Sequence, residues 1–96
     1  MANSNEVVQV HVFVRGLVQG VGFRYFVQRS AVLLDVMGWT RNLPDGRVEI
    51  VAEGRRDVLE RFLADVQRGP ARSRVIDVAV EWGAARGGFD DFGIRG

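Results

Sequence analysis

Valine occupies every second position of residues 8–14, and the residues between these valines are mostly polar. Because side chains alternate between the two faces of a strand, this segment is predicted to be a strand with one buried face and one wet face. Residues 16–22 interrupt the alternation with three glycines. Apolar residues then recur at helical spacing over residues 23–35, so a strand, a glycine-rich loop and an amphipathic helix are expected in that order.

The rest of the chain extends this plan with three further strands and a second amphipathic helix. The predicted segments are 37–43, 47–53 and 75–82 for the strands and 58–66 for the helix. A Pro-Asp-Gly turn joins the first two of these strands, and a short edge strand is expected near residues 92–95. The order β-α-β-β-α-β is typical of the ferredoxin-like α+β sandwich, in which two helices cover one face of an antiparallel sheet.

Composition limits the function classes that need to be considered. The chain has 96 residues, which is enough for one domain and too few for two separate cores. Its 13 basic residues nearly balance its 12 acidic ones, so the net charge of +1 gives no reason to expect nucleic-acid binding. There is no cysteine, which excludes disulfides, thiolate metal sites and a cysteine nucleophile and fits a reducing compartment.

The sequence also shows no pattern typical of secretion or of membrane insertion. The apolar stretches are too short for a membrane span, and the first residues lack the pattern of a secretory signal. We therefore expect a cytoplasmic monomer without a membrane or nucleic-acid partner. Residues 1–6 are expected to be a flexible N-terminus, and residues 7–96 to be the folded domain.

The glycine-rich segment 16–22 and the following Arg24 are the first candidate site. Glycines allow backbone conformations in which successive N–H groups converge on one anion, and the start of a helix adds a partial positive charge. Arg24 would add paired donors suited to phosphate oxygens. A flexible strand-to-helix connection with a surface arginine accounts for the same residues equally well, because glycine spacing alone is a weak signal. The segment lacks the Gly-Lys-Ser/Thr ending of a Walker A loop.

Asn42 is the second candidate. Alternation places Thr40 and Asn42 on one face of their strand, and if that face meets the helices, Asn42 emerges near the start of the first helix. Its side-chain amide both donates and accepts hydrogen bonds and could therefore hold a water molecule. An asparagine that bonds its own backbone at a turn is the alternative, and these residues alone favour that alternative.

Two segments resemble the signatures of the acylphosphatase family. Residues 14–24, Val-Arg-Gly-Leu-Val-Gln-Gly-Val-Gly-Phe-Arg, are similar to the first signature, and residues 38–42, Gly-Trp-Thr-Arg-Asn, are similar to the second. The resemblance continues through the Gly-Pro pair at 69–70 to the last residues and covers positions 7–95. Two long motifs in the right order are far more specific than either motif alone.

The resemblance implies a function and a role for each candidate. Arg24 would bind the phosphoryl group and Asn42 would orient the attacking water. The implied substrate-binding residues are Gly16, Gln19, Gly20, Val21, Gly22 and Phe23. The implied reaction is hydrolysis of a small-molecule acyl phosphate to a carboxylate and inorganic phosphate by attack at phosphorus, with no metal and no cofactor. The alternative is a phosphate-binding or anion-binding regulatory module without significant activity, for which Asn42 would have no use.

Three residues depart from the family pattern without touching Arg24 or Asn42. Thr40 replaces a small apolar residue or cysteine and is tolerable if its hydroxyl bonds a main-chain group. Leu43 stands where some members have a hydroxyl residue. Asp35 stands at a helix end where glycine is frequent, and aspartate can adopt the left-handed conformation at modest cost.

Two further interpretations are less well supported. His11, the only histidine, is expected on the wet face of the first strand as a solvated residue, so we do not assign it as a general base. The β-α-β-β-α-β order also occurs in RNA-recognition domains, but residues 47–51 offer no stacking aromatic. Trp39, Phe13 and Arg41 are therefore interpreted as cross-strand packing partners.

Overall fold

The computed structural model describes residues 6–96 and forms five strands and two helices within that range. In chain order these elements are β1 (Val7–Leu17), α1 (Phe23–Leu33), β2 (Met37–Asn42), β3 (Val48–Arg55), α2 (Arg56–Arg68), β4 (Arg74–Ala84) and β5 (Phe92–Arg95). The order confirms the ferredoxin-like α+β class. Of the segment predicted to be flexible, residues 1–5 lie outside the described residues, and the Glu6 carbonyl accepts a hydrogen bond from the Arg56 N–H at 3.1 Å.

The sheet has the strand order β4-β1-β3-β2-β5. The first four of these strands pair antiparallel, as predicted, whereas β5 runs parallel to β2 and makes the whole sheet mixed. The direction of β5 follows from the link after β4, which crosses from one edge of the sheet to the other. This link lies against the open face of the sheet, where the Glu53 carboxylate accepts hydrogen bonds from the N–H groups of Arg86 and Gly87 at 2.8 and 3.1 Å.

The core lies between the other face of the sheet and the two helices. The alternating valines of β1 point into it, as the sequence predicted, and all four are buried. The core is completed by side chains from β3, the two helices and β5, which include Val48, Ile50, Ala52, Phe23, Val27, Leu59, Phe62, Val66 and Phe92. Burial of this apolar surface is the main term that holds the helices on the sheet.

Two departures from the family pattern are accommodated locally. Thr40 is fully buried, and its Oγ1 hydroxyl donates to the Glu49 carbonyl at 3.0 Å, which removes the penalty of a buried unpaired hydroxyl. Asp35 follows α1 with a φ of 60°, in the left-handed region that glycine usually occupies. Neither helix in residues 6–96 has the length and apolarity that crossing a bilayer requires.

Candidate active site

The loop between β1 and α1 is shorter than predicted. Gly16 and Leu17 belong to β1, because they pair with Val75 and Arg74 of β4 after a register shift at Arg15. A Cβ on Gly16 would lie 2.0 Å from the Arg74 carbonyl oxygen, so glycine is needed there for the close approach of β4. The loop itself spans residues 18–22, and Gly16 shapes the strand that leads into it.

Two glycines in the left-handed backbone conformation determine the path of this loop. Gly20 and Gly22 have φ angles of 73° and 78°, and Gly22 is the residue immediately before α1. The Gly22 carbonyl accepts the N–H of Phe26 at 3.0 Å, which closes the first turn of the helix. Among the residues that the structure describes, no acceptor pairs with the main-chain N–H groups of residues 19–22. The loop therefore presents unpaired donors beside the positive end of α1.

A small pocket of about 140 Å³ lies between this loop, the first turn of α1 and the end of β2. Its lining residues are Val18, Gly20, Gly22, Phe23, Arg24, Tyr25 and Asn42. The pocket thus brings Arg24 and Asn42 together from separate elements, and none of its lining residues is acidic. Its volume is well below the roughly 300 Å³ typical of pockets for drug-sized ligands, so it suits a small anionic group.

The predicted substrate-binding residues do not all line this pocket. Gly20, Gly22 and Phe23 line it, whereas the side chain of Val21 packs against the core and that of Gln19 turns away to the β2–β3 connection. Sequence reasoning missed Tyr25, which lines the pocket and is 70% exposed. Its place immediately after Arg24 was the only signal in the sequence that could have indicated it.

Arg24 lies in the first turn of α1 and is held by the C-terminal strand. Its Nη1 donates to the Arg95 carbonyl at 3.2 Å, and the Gln28 amide ties the same helix to the Phe92 carbonyl at 3.0 Å. A guanidinium has five N–H donors, so four remain for other acceptors. This support could not be predicted from the sequence, because it depends on the parallel pairing of β5 with β2, which brings Arg95 close to α1.

Asn42 is the last residue of β2 and pairs with Val48 of β3. Its side-chain Oδ1 is buried and has no hydrogen-bond partner among the described residues. A buried acceptor without a partner costs about 1–3 kcal/mol, and the explanations for such groups in native structures include a catalytic role and a bound water or ion. Because Oδ1 only accepts, the group it can bind must be a donor such as water.

A separate charged cluster lies on the open face of the sheet. Glu49 is buried, and its two carboxylate oxygens each lie 2.6 Å from a partner nitrogen, Nε2 of His11 and Nε of Arg41. Burial alone would raise the pKa of Glu49, but the hydrogen bonds from His11 and Arg41 outweigh it and lower that pKa. His11 thus lies on the open face of the sheet, as predicted. It is half-buried and paired with a carboxylate, however, which corrects the prediction of a solvated surface histidine.

The aromatic residues of this open face are covered by arginines of the same chain. The guanidinium of Arg95 lies 4.4 Å from the ring centroid of Trp39, and that of Arg47 lies 4.8 Å from the centroid of Phe13. Such stacking stabilises each pair and covers the ring face with a guanidinium. The packing interpretation of these aromatics agrees with these contacts.

Fold and site together define a class of protein. A ferredoxin-like domain that brings an arginine, a loop with unpaired N–H groups and an asparagine together around one pocket has the groups that a small hydrolase for phosphorylated or related oxyanion substrates needs. The fold alone would not have decided this, because many unrelated functions share it.

The comparisons with known proteins narrow this class. The acylphosphatase family model matches residues 10–94. An acylphosphatase of Trichormus variabilis is 50% identical over 88 residues, which cover 90% of this chain and 87% of the relative. The crystal structure of an acylphosphatase from Bacillus subtilis matches at a TM-score of 0.89 and 43% identity, covering 92% of this chain and 98% of that one. An acylphosphatase structure from Coxiella burnetii matches at 0.87 and 37%, covering 94% of each chain.

The chain belongs to the acylphosphatase family. It is an enzyme that hydrolyses acyl phosphates to a carboxylate and inorganic phosphate. The alternative of an anion-binding module without activity is not favoured by these relatives.

Proposed function

We propose that hydrolysis takes place in the pocket between the 18–22 loop and the end of β2, with Arg24 and Asn42 as its catalytic residues. Arg24 binds two oxygens of the phosphoryl group through its free guanidinium donors. The main-chain N–H groups of residues 19–23 cradle the remaining oxygens, helped by the partial positive charge at the start of α1. The observations that support this cradle are the unpaired N–H groups of the loop and the lack of any acidic lining residue.

Asn42 holds the attacking water in this proposal. Its unpaired Oδ1 accepts a hydrogen bond from the water and directs the water oxygen at phosphorus, in line with the departing carboxylate. The water oxygen forms the new bond to phosphorus as the bond from phosphorus to the carboxyl oxygen breaks. A phosphoryl oxygen takes the proton of the water, because no lining residue is a carboxylate or histidine. The buried, unpaired Oδ1 of Asn42 is the observation that carries the proposal.

The test is release of phosphate from acetyl phosphate and benzoyl phosphate by three variants. We expect Arg24→Ala to lose both turnover and competitive inhibition by phosphate. Asn42→Ala should lose turnover by about 10²-fold or more, as removal of a transition-state contact typically does, while phosphate still inhibits. Arg29→Ala is the matched control, because it removes an exposed arginine of the same helix that does not line the pocket. Full activity of both Arg24→Ala and Asn42→Ala would refute the proposed roles.

We also propose that the protein works as a cytoplasmic monomer built from one domain, residues 7–96, and that it binds no nucleic acid. The near-balanced charge, the lack of cysteine and the arginine-covered rings of Trp39 and Phe13 support this. Size-exclusion chromatography with light scattering tests the monomer. A salt-dependent mobility shift of a labelled RNA probe would contradict the proposal that the protein binds no nucleic acid.

A further inference from the structure

The side chain of Gln19 leaves the pocket although its backbone belongs to the loop. Its Nε2 donates two hydrogen bonds, to the Leu43 carbonyl at 2.8 Å and to the Arg47 carbonyl at 2.9 Å. A primary amide nitrogen carries two hydrogens, so both are used. Both donors of the side chain are therefore used at the β2–β3 connection, and neither can donate to a substrate in this conformation.

The two carbonyls lie where the β2–β3 hairpin closes. Leu43 follows Asn42 directly, and Arg47 precedes Val48, the residue that pairs with Asn42. The same carbonyls accept other hydrogen bonds: that of Arg47 from the Leu43 N–H at 2.8 Å, and that of Leu43 from the Gly46 N–H at 3.1 Å. The hairpin thus has its own closing bonds, and Gln19 adds a connection from it to the loop.

We infer that Gln19 is a positioning residue that fixes the phosphate cradle relative to Asn42. This inference rests on the proposed roles of the loop and of Asn42. Within residues 6–96 the Gln19 amide makes the only hydrogen bonds between the loop and the β2–β3 connection. Gln19 immediately precedes Gly20 of the pocket wall, and both of its acceptors lie within one residue of the Asn42–Val48 pair.

The consequence for catalysis follows from the geometry of in-line attack. The cradle fixes the phosphorus atom, Asn42 fixes the water, and the two groups stand on separate elements. A misplacement of about 1 Å between such groups can cost roughly 10²-fold in rate. If the Gln19 amide is lost, both carbonyls still accept a main-chain N–H. The substitution should therefore alter the spacing between loop and strand more than the stability of the hairpin.

The test compares Gln19→Met, which keeps the length of the side chain and removes its donors, with Gln9→Met. Gln9 is the matched control, because its Nε2 donates to Glu53 Oε2 at 2.7 Å on the open face of the sheet, and that carboxylate retains the N–H groups of Arg86 and Gly87. We expect Gln19→Met to lower kcat by about 10- to 100-fold. The inhibition constant of inorganic phosphate should stay within about threefold, because the cradle N–H groups remain. The two variants should lower the melting temperature by similar amounts, but Gln9→Met should not lower kcat.

Two results would overturn the inference. Wild-type kcat in Gln19→Met means that the amide does not position the site, and a parallel loss of phosphate inhibition and kcat means that Gln19 only shapes the cradle. If Gln19→Met does not fold, Gln19→Asn, whose shorter amide cannot reach both carbonyls, is measured in the same way with the same expectations. Full activity of Arg24→Ala and Asn42→Ala would instead refute the proposed function, so the two failures are distinguishable.

Discussion

Replacing Gly22 with alanine tests whether the left-handed loop conformation is required at the start of α1. A Cβ on Gly22 would meet no atom within 4 Å, so the cost of the substitution is conformational and not steric crowding by neighbours. An alanine held at the φ of 78° costs about 1–2 kcal/mol. Alanine also lowers the entropy of the unfolded chain, which stabilises the folded state by about 0.4–1 kcal/mol and offsets part of this cost. The net loss of unfolding free energy should therefore be about 1 kcal/mol.

Gly83→Ala is the matched control for this prediction. Gly83 also has open space around its Cβ position, but its φ is not positive, so alanine fits its backbone without strain. The unfolded-state contribution is the same in both variants and cancels in their difference, which leaves the left-handed cost of about 1–2 kcal/mol. For a domain of this size each kcal/mol shifts the melting temperature by roughly 4–8 °C.

The assay is thermal unfolding of both variants with and without inorganic phosphate. Gly22→Ala should have a melting temperature lower than that of Gly83→Ala by the amount that about 1–2 kcal/mol predicts. It should also gain less stability from phosphate, because in the proposed mechanism a shifted loop would bind the anion less well. Equal melting temperatures of the two variants would refute the conformational argument. Equal stabilisation by phosphate would refute the role of the loop in anion binding.

Three further predictions concern single side chains. Glu49 has a folded-state pKa below its ordinary value of 4.5, so the stability it contributes is present above about pH 4.5 and is lost as the pH falls through the lower folded pKa. In urea unfolding, Glu49→Gln should be less stable than the wild type at about pH 7 and should lose less stability on acidification. Acid sensitivity equal to that of the wild type would contradict this. Thr40→Val should lose about 1 kcal/mol of unfolding free energy in urea, since it removes the hydroxyl donor to Glu49, and a stabilised variant would contradict that account. Arg24→Lys keeps the charge but loses the planar donors, so phosphate inhibition should weaken by about tenfold, and an unchanged inhibition constant would refute paired donation.

The fold could be predicted from the sequence where the signal is local. The alternation in β1 identified the buried valines, and the apolar spacing in α1 and α2 identified both helices, because each pattern depends only on neighbouring residues. The parallel direction of β5 had no such signal. It depends on a link that crosses the sheet and binds Glu53, a contact between residues more than 30 positions apart.

In the candidate site, too, the sequence predicted the residues that a local motif marks but not the partners of their side chains. The motifs identified Arg24 and Asn42, and the structure places both in one pocket. The direction of the Gln19 side chain could not be read from its motif, because its acceptors are carbonyls of another hairpin. The pairing of His11 with Glu49 was missed for a similar reason: alternation assigns a residue to a face, whereas its partner on that face depends on the register between strands.

The unpaired oxygen of Asn42 gives a physical reason for preferring hydrolysis to simple anion binding at this pocket. A site that only binds an anion needs donors, and the loop N–H groups and Arg24 supply them. The Asn42 Oδ1 atom is an acceptor, which anion binding does not need, and it costs about 1–3 kcal/mol when buried without a partner. That cost is relieved when a donor lies between Asn42 and the phosphoryl group, and water is a donor that can also attack phosphorus. In the proposed mechanism, the acceptor that anion binding does not use is therefore the group that holds the attacking water.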